Sequence, residues 1–173
     1  MFLKSSGDII DLNFSILSET FELLDAKLAQ ISEEVADSFV DESSGIYDRA
    51  EHFVGLGFAV MQQYLVDTLL LKNVDKSVAY SLGPKVIDNV SLISLVNASA
   101  NWWKHEAEWF GKNELPKQAE STLKRVLNIS GSHDYALTNV LAFLIDDKKL
   151  AFSPLLPRIM EWRNCIANLE EQV

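Results

Sequence analysis

Ala100 to Phe110 hold three of the four tryptophans, one of the three histidines and two carboxylates. Within this run and just before it, Asn97, Asn101, Lys104, His105 and Glu108 are groups able to hold an anion or move a proton. Histidine titrates near neutrality and serves as acid or base. A second polar set, Asp48, Arg49, Glu51 and His52, follows Tyr47 earlier in the chain. Asp48 and His52 stand four apart, a spacing that lets two side chains of one helix touch. If the helices bearing these sets pack antiparallel, Asp48, Arg49 and His52 come level with Asn101, His105 and Glu108. Three chemistries are open to such a cluster. Arg49 would grip a phosphate bidentately while a histidine moves protons. His105-x-x-Glu108 and Asp48-x-x-x-His52 would hold a divalent metal, although Arg49 among the ligands opposes a cation. Or the groups would satisfy one another as a structural polar network.

The elements must supply that geometry. Seven glycines, four prolines and little β-branched alternation point to an all-α fold. The expectation is a single-domain helical bundle over residues 1–173, with three long helices and about three shorter ones. A first helix is expected from Asp8 to Phe39, its apolar residues recurring from Ile9 through Leu12, Ile16, Leu23 and Leu24 to Val35. Asp41-Glu42-Ser43-Ser44-Gly45 has turn chemistry. A second helix is expected from Ile46 to Lys72, apolar all round in its middle and therefore buried. Its Gly55 and Gly57 lower helix propensity by roughly 1 kcal/mol each; their expected use is to let another helix come close. Asn73 to Gly83 is expected to be irregular. Pro84 then opens a third long helix to Phe110, stopped by Gly111-Lys112-Asn113. Shorter helices follow from Pro116 to Asn128, from Asp134 to Ile145, and from Pro154 and Pro157 toward the C-terminus.

On a wheel of about 100° per residue, Leu92, Leu95, Val96, Ala100, Trp102, Trp103, Ala107, Trp109 and Phe110 share one broad arc. Ser94, Asn97, Asn101, His105 and Glu108 form a narrow strip opposite. That strip is either a solvent face or a site for a tight polar contact or a ligand, its short side chains suiting the latter two. Glu106 falls among the aromatics, where a carboxylate must be paired, protonated or near the helix end. For Trp102 and Trp109, core packing stands beside base stacking or partner contact.

Composition narrows the function classes. A single cysteine, Cys165, excludes an internal disulfide framework and a multi-cysteine zinc site. Met1 to Phe14 has no apolar stretch before Asp8 and Asp11, so no secretory leader is expected there. Phe53 to Leu71 has the length of a membrane span, but Gln62, Gln63 and Asp67 interrupt it, and a buried helix is the expectation. A cytoplasmic protein without membrane partners follows. Of the net charge of −10, residues 1–51 contribute −9, from twelve acids and three bases. This acidic third either solvates the protein or docks a basic partner, and it repels a phosphate backbone. There is no phosphate-binding glycine loop, no His-Glu-x-x-His helix and no Gly-x-Ser-x-Gly elbow.

Two resemblances bear on function. Asn101-Trp102-Trp103-Lys104-His105 resembles an Asn-x-x-Lys-His pattern of small bacterial all-α proteins. Some of these look like relatives of the HEPN superfamily, helical proteins of toxin–antitoxin and phage-defence systems. The resemblance implies a homodimer in which an Arg and a His on one helix cleave RNA without metal, by attack of the ribose 2′-hydroxyl. His105 matches that histidine; no Arg precedes it on its helix, and Asn101 stands four residues before it. Arg125 and His133 are separated by a glycine break. Separately, Glu19-x-x-Glu22-x-x-Asp25 and Glu33-Glu34-x-x-Asp37 are similar to the acidic helices of all-α nucleotide pyrophosphohydrolases, whose acids hold magnesium; the other reading is an acidic solvent face.

The expectation is thus an interaction module of HEPN-like type, binding a protein partner, a second copy of itself or RNA. The alternatives are a metal-independent ribonuclease centred on His105 and a metal-dependent nucleotide hydrolase. Candidate catalytic residues are His105, Asn101, Arg49 and His52. Candidate binding residues are Lys104, Glu108, Trp102, Trp109 and Asp48. No cofactor and no metal ligand set is expected.

Overall fold

The computed structural model describes residues 3–5, 8–37, 44–70, 72, 74–109, 112, 114–146 and 149–169. Leu12–Asp37, Ile46–Leu69 and Leu92–Trp109 form the three long helices, here α1, α2 and α4. Four shorter helices complete the all-α fold: α3 (Lys76–Ser81), α5 (Lys117–Ser130), α6 (Ala136–Ile145) and α7 (Leu156–Leu169), the last preceded by a 3-10 turn at Ser153–Leu155. Two antiparallel hairpins stand beside them, β1 (Leu3–Ser5) with β2 (Asp8–Ile10) and β3 (Lys85–Ile87) with β4 (Val90–Ser91). The expected ends at Phe39 and Phe110, the turn residues Asp41 to Ser43, Leu71, Gly111 and Asn113 lie outside the described residues.

Three expected boundaries are corrected. The first helix begins at Leu12, not Asp8, because residues 8–10 pair with residues 3–5 in register Leu3↔Ile10. Asp11 then caps α1, its Oδ1 accepting from the Phe14 N–H at 3.0 Å. The segment 73–83 is not wholly irregular: Asp75 accepts from the backbone N–H of Ser77 and Val78 and starts α3. A helix this short has too few turns to show a period. Pro84 does not open the third helix. Lys85-Val86-Ile87 and Val90-Ser91 flank Asp88-Asn89 and form a hairpin instead, with Asp88 at φ 32°. The Ser91 Oγ accepts from the Ser94 N–H at 3.0 Å and so starts α4 at the end of that hairpin.

The core is organised around α2, which packs on α1, α4 and α6. Leu17, Phe21, Leu24 and Leu28 of α1 meet Val54, Phe58, Met61 and Leu65 of α2 in one buried cluster that extends through Trp102, Val140, Phe152 and Trp162. The interrupted apolar run is therefore a core helix, and among the described residues no helix is long and apolar enough to cross a membrane. The glycines admit aromatic rings to the α2 backbone, as the sequence predicts for a close approach. A Cβ on Gly55 would lie 2.0 Å from the Trp103 indole, and one on Gly57 would lie 2.3 Å from the Phe152 ring.

Carboxylates join distant elements. Glu51 of α2 accepts from the backbone N–H of Leu137 and Thr138, both at 2.8 Å, and from the Thr138 hydroxyl at 2.6 Å. It caps α6, whose own preceding residue makes no side-chain cap. Asp25 of α1 does the same for the 3-10 turn, accepting from the Phe152 N–H at 2.5 Å and the Ser153 N–H at 3.0 Å.

Two stability predictions follow from these contacts. Gly57→Ala drives a methyl into fully buried Phe152, and overpacking of about 1–3 kcal/mol outweighs the regained helix propensity. Gly55→Ala is milder, because half-buried Trp103 has room to turn outward. Urea denaturation of the two variants should rank them in that order. In the same assay Glu51→Ala should lower stability by about 2 kcal/mol, the loss of a charged cap.

Candidate functional site

Two members of the polar strip of α4, Asn97 and Asn101, make a contact across the bundle, and their partner is Gln62 of α2. The Gln62 Nε2 donates to the side-chain oxygens of Asn97 at 2.9 Å and Asn101 at 3.0 Å. The Gln62 Oε1 accepts from the Lys104 Nζ at 2.6 Å. Half-buried amides at a helix crossing need such partners, since an unsatisfied one costs about 1–3 kcal/mol. Burial at this seam lowers the Lys104 pKa, with Lys76 nearby adding to the effect. Gln62 is a residue that sequence reasoning passed over as a site member. Its signal was there, a glutamine in the most apolar stretch of the chain.

His105 continues the strip one turn beyond Asn101, toward α5. Its Nδ1 stands 3.3 Å from the Glu108 carboxylate, and its ring stacks on Trp109 with centroids 5.9 Å apart. Together with Asn101, His105 and Trp109 face α5 across a cleft of about 210 Å³, closed by Pro116, Ala119 and Thr122. Trp102 is buried, its ring 5.8 Å from that of His133.

Asp48, Arg49 and His52 face elsewhere. The Arg49 guanidinium is 3.0 Å from the Glu34 carboxylate of α1. The three line a shallow depression with Lys27 and Phe53. His52 packs edge-on against Trp103, centroids 5.5 Å apart. Residues 103 and 105 point about 200° apart on a helix, so the ring that touches His52 leaves α4 on the opposite flank from His105. Antiparallel packing of α2 and α4, the condition for the composite cluster, is present: Gln62 meets Asn97 and Asn101, while Gly55 and His52 meet Trp103. What the structure does not form is the composite cluster. Asp48, Arg49 and His52 remain on the α1 side of α2, and His105 and Asn101 line the cleft on the α5 side of α4, with Glu108 beside His105. Level along the axis, the two sets differ in azimuth.

No family model, curated protein or solved structure matches the chain. The site must therefore be judged by its own geometry. A metal reading finds little here: among the described residues no three His, Cys, Asp or Glu side chains are grouped to hold an ion. On α1, Asp25 is committed to its two backbone N–H groups.

Glu106 belongs to a corner the sequence only half revealed. Partial burial raises its pKa, Glu51 adding to the rise, while a hydrogen bond from Trp102 and the proximity of His133 oppose it. A carboxyl with a raised folded pKa stabilises the fold below its ordinary range, and that contribution is lost as pH rises through the folded value. Glu106→Gln should therefore match the parent in acid and exceed it in stability at pH 7. Thermal melts at both pH values check this; a variant less stable than the parent at pH 7 would contradict the assigned shift.

Proposed function

We propose that this chain is a non-catalytic helical docking module whose α1–α2 face receives a segment of a partner protein. The observation that carries the reading is an exposed apolar stripe. Leu12, Ile16 and Leu23 recur on one side of α1, and Leu12 and Leu23 are 71% and 74% exposed. Ile16, Val60 and Tyr64 line a groove of about 190 Å³ between the two helices. Apolar surface gathered on one face and edged by polar groups is what an interaction site presents. Exposed Glu19 lies between Ile16 and Leu23 on that same side, and exposed Glu22 lies beside it, so the face is acidic as well as apolar, within a third of the chain that carries −9.

An apolar ridge with a basic margin complements that face, as in an amphipathic helix laid in a groove. A second copy of the chain would bring acids against acids, which disfavours this face as a self-contact. RNA is disfavoured there for the same reason. The HEPN-like resemblance supplies a setting, since proteins of that kind act in paired toxin–antitoxin and phage-defence systems; the partner would be the other member of such a pair. The ribonuclease reading is weaker because Arg49 and His52 do not meet His105 within one chain.

The test is a pair of variants read against one partner. Ile16→Lys with Leu23→Lys should abolish recovery of the chain's partner from its native host while leaving helicity and melting temperature unchanged, since both side chains are exposed. His105→Ala should leave recovery intact. The reverse pattern, with His105→Ala removing a biological effect that the double variant retains, would restore the catalytic reading.

A further inference from the structure

A cationic concavity in this acidic protein lies away from both polar sets, between α5 and the β3–β4 hairpin. It has a volume of about 540 Å³, within the range of small-molecule sites. Lys117, Lys124 and Arg125 line it, with Glu120 as the one acid. Lys117, Ser121, Lys124 and Asn128 recur at spacings of four, three and four, so they share one face of α5. Ile87 and Val90 of the hairpin and Ile129 of α5 supply an apolar wall. None of the three cations makes an ion pair or hydrogen bond among the described residues. That absence has content, because Glu120 stands three residues after Lys117 and four before Lys124, the spacings at which such pairs form. Glu120 lies instead in the first turn of α5, where the helix dipole favours an acid.

We propose that this groove binds a phosphorylated small molecule whose body is apolar or aromatic, such as a nucleotide. Lys124, Arg125 and Lys117 would meet the phosphate, Arg125 offering a bidentate fork. Ser121 and Asn128 are the neutral hydrogen-bonding groups on the same face. The body would lie against Ile87, Val90 and Ile129. A small anion suits the place better than a nucleic acid. A long polyanion tracks many cations along a surface, and the net charge of −10 opposes it outside the groove. A compact phosphate requires only the three cations.

Calorimetric titration of the full chain at low salt, with AMP, hexyl phosphate and inorganic phosphate as separate probes, tests the assignment. AMP or hexyl phosphate should saturate one site, bind at least tenfold more tightly than inorganic phosphate, and weaken as salt rises. Lys124→Gln with Arg125→Gln should reduce that affinity tenfold or more. Glu120→Gln should increase it, a gain that an unfolded variant does not give. Absence of saturation by both organic probes at millimolar concentration overturns the proposal. So does equal binding of inorganic phosphate, or affinity unchanged in the double variant. Tighter binding of a single-stranded oligonucleotide, with a salt dependence demanding many phosphate contacts, would replace it with a nucleic-acid surface.

Discussion

Two aromatic rings lie against the backbone of α2, and the bundle depends on how closely they approach. Phe152 reaches α2 at Gly57 and Trp103 at Gly55, at distances no side chain would allow. The Phe152 ring is also 5.1 Å from Phe21 and 5.6 Å from Phe58, so a single contact ties the segment before α7 to both α1 and α2. Trp103 fixes α4 in the same way on the other flank. With α2 held between them, its remaining apolar faces have set partners. A glycine in a helix interior loses intrinsic propensity. Here the loss is offset by ring burial, which for aromatic side chains is the largest apolar contribution available.

Polar links across the bundle obey a second constraint. Asp11, Asp25 and Glu51 are three of the twelve acids in the first 51 residues, and each turns toward other elements. Asp11 caps α1, accepts from the Tyr64 hydroxyl at 2.7 Å and pairs with Arg163 of α7 at 3.2 Å. Both members of that ion pair are nearly sealed from solvent, so removal of either would strand a buried charge. Tyr64 is correspondingly held as a neutral donor: burial pushes its pKa well up, and the bond to Asp11 pushes further. The acidity of the N-terminal third therefore has two uses. Inward acids satisfy orphan N–H groups and pair with a buried guanidinium, while outward acids such as Glu19 and Glu22 share the exposed side of α1 with the apolar stripe.

Long helices were legible because periodicity accumulates over many turns. The all-α class, the presence of long helices at α1 and α2 and the close approach at the glycines follow from apolar spacing and residue size, whereas the start of α1 is set by the pairing of β1 with β2. Short elements were not. The α3 helix has six residues and rests on one capping aspartate. The β3–β4 hairpin rests on a two-residue turn whose signal lost to the proline before it. The site was legible only as a strip. A wheel shows that Asn97, Asn101 and His105 are neighbours, but not that Gln62 would occupy the asparagines and leave His105 to Glu108 and Trp109. Height along an antiparallel pair comes from helix length, so the levels of His52 and His105 agree. Azimuth depends on which residues let two helices touch, and Gly55 turned His52 toward Trp103.

Net charge alone would direct attention to basic partners, yet −10 is a sum over unlike surfaces. The α1–α2 face joins exposed aliphatics to acids, whereas α5 gathers three cations against one acid beside an apolar wall. At physiological salt, fields decay over about 8 Å, so a ligand in the α5 groove responds mainly to Lys117, Lys124 and Arg125. The acids of α1 act chiefly on whatever approaches α1. Separation on that scale lets one chain present an acidic apolar surface and a cationic concavity without either cancelling the other.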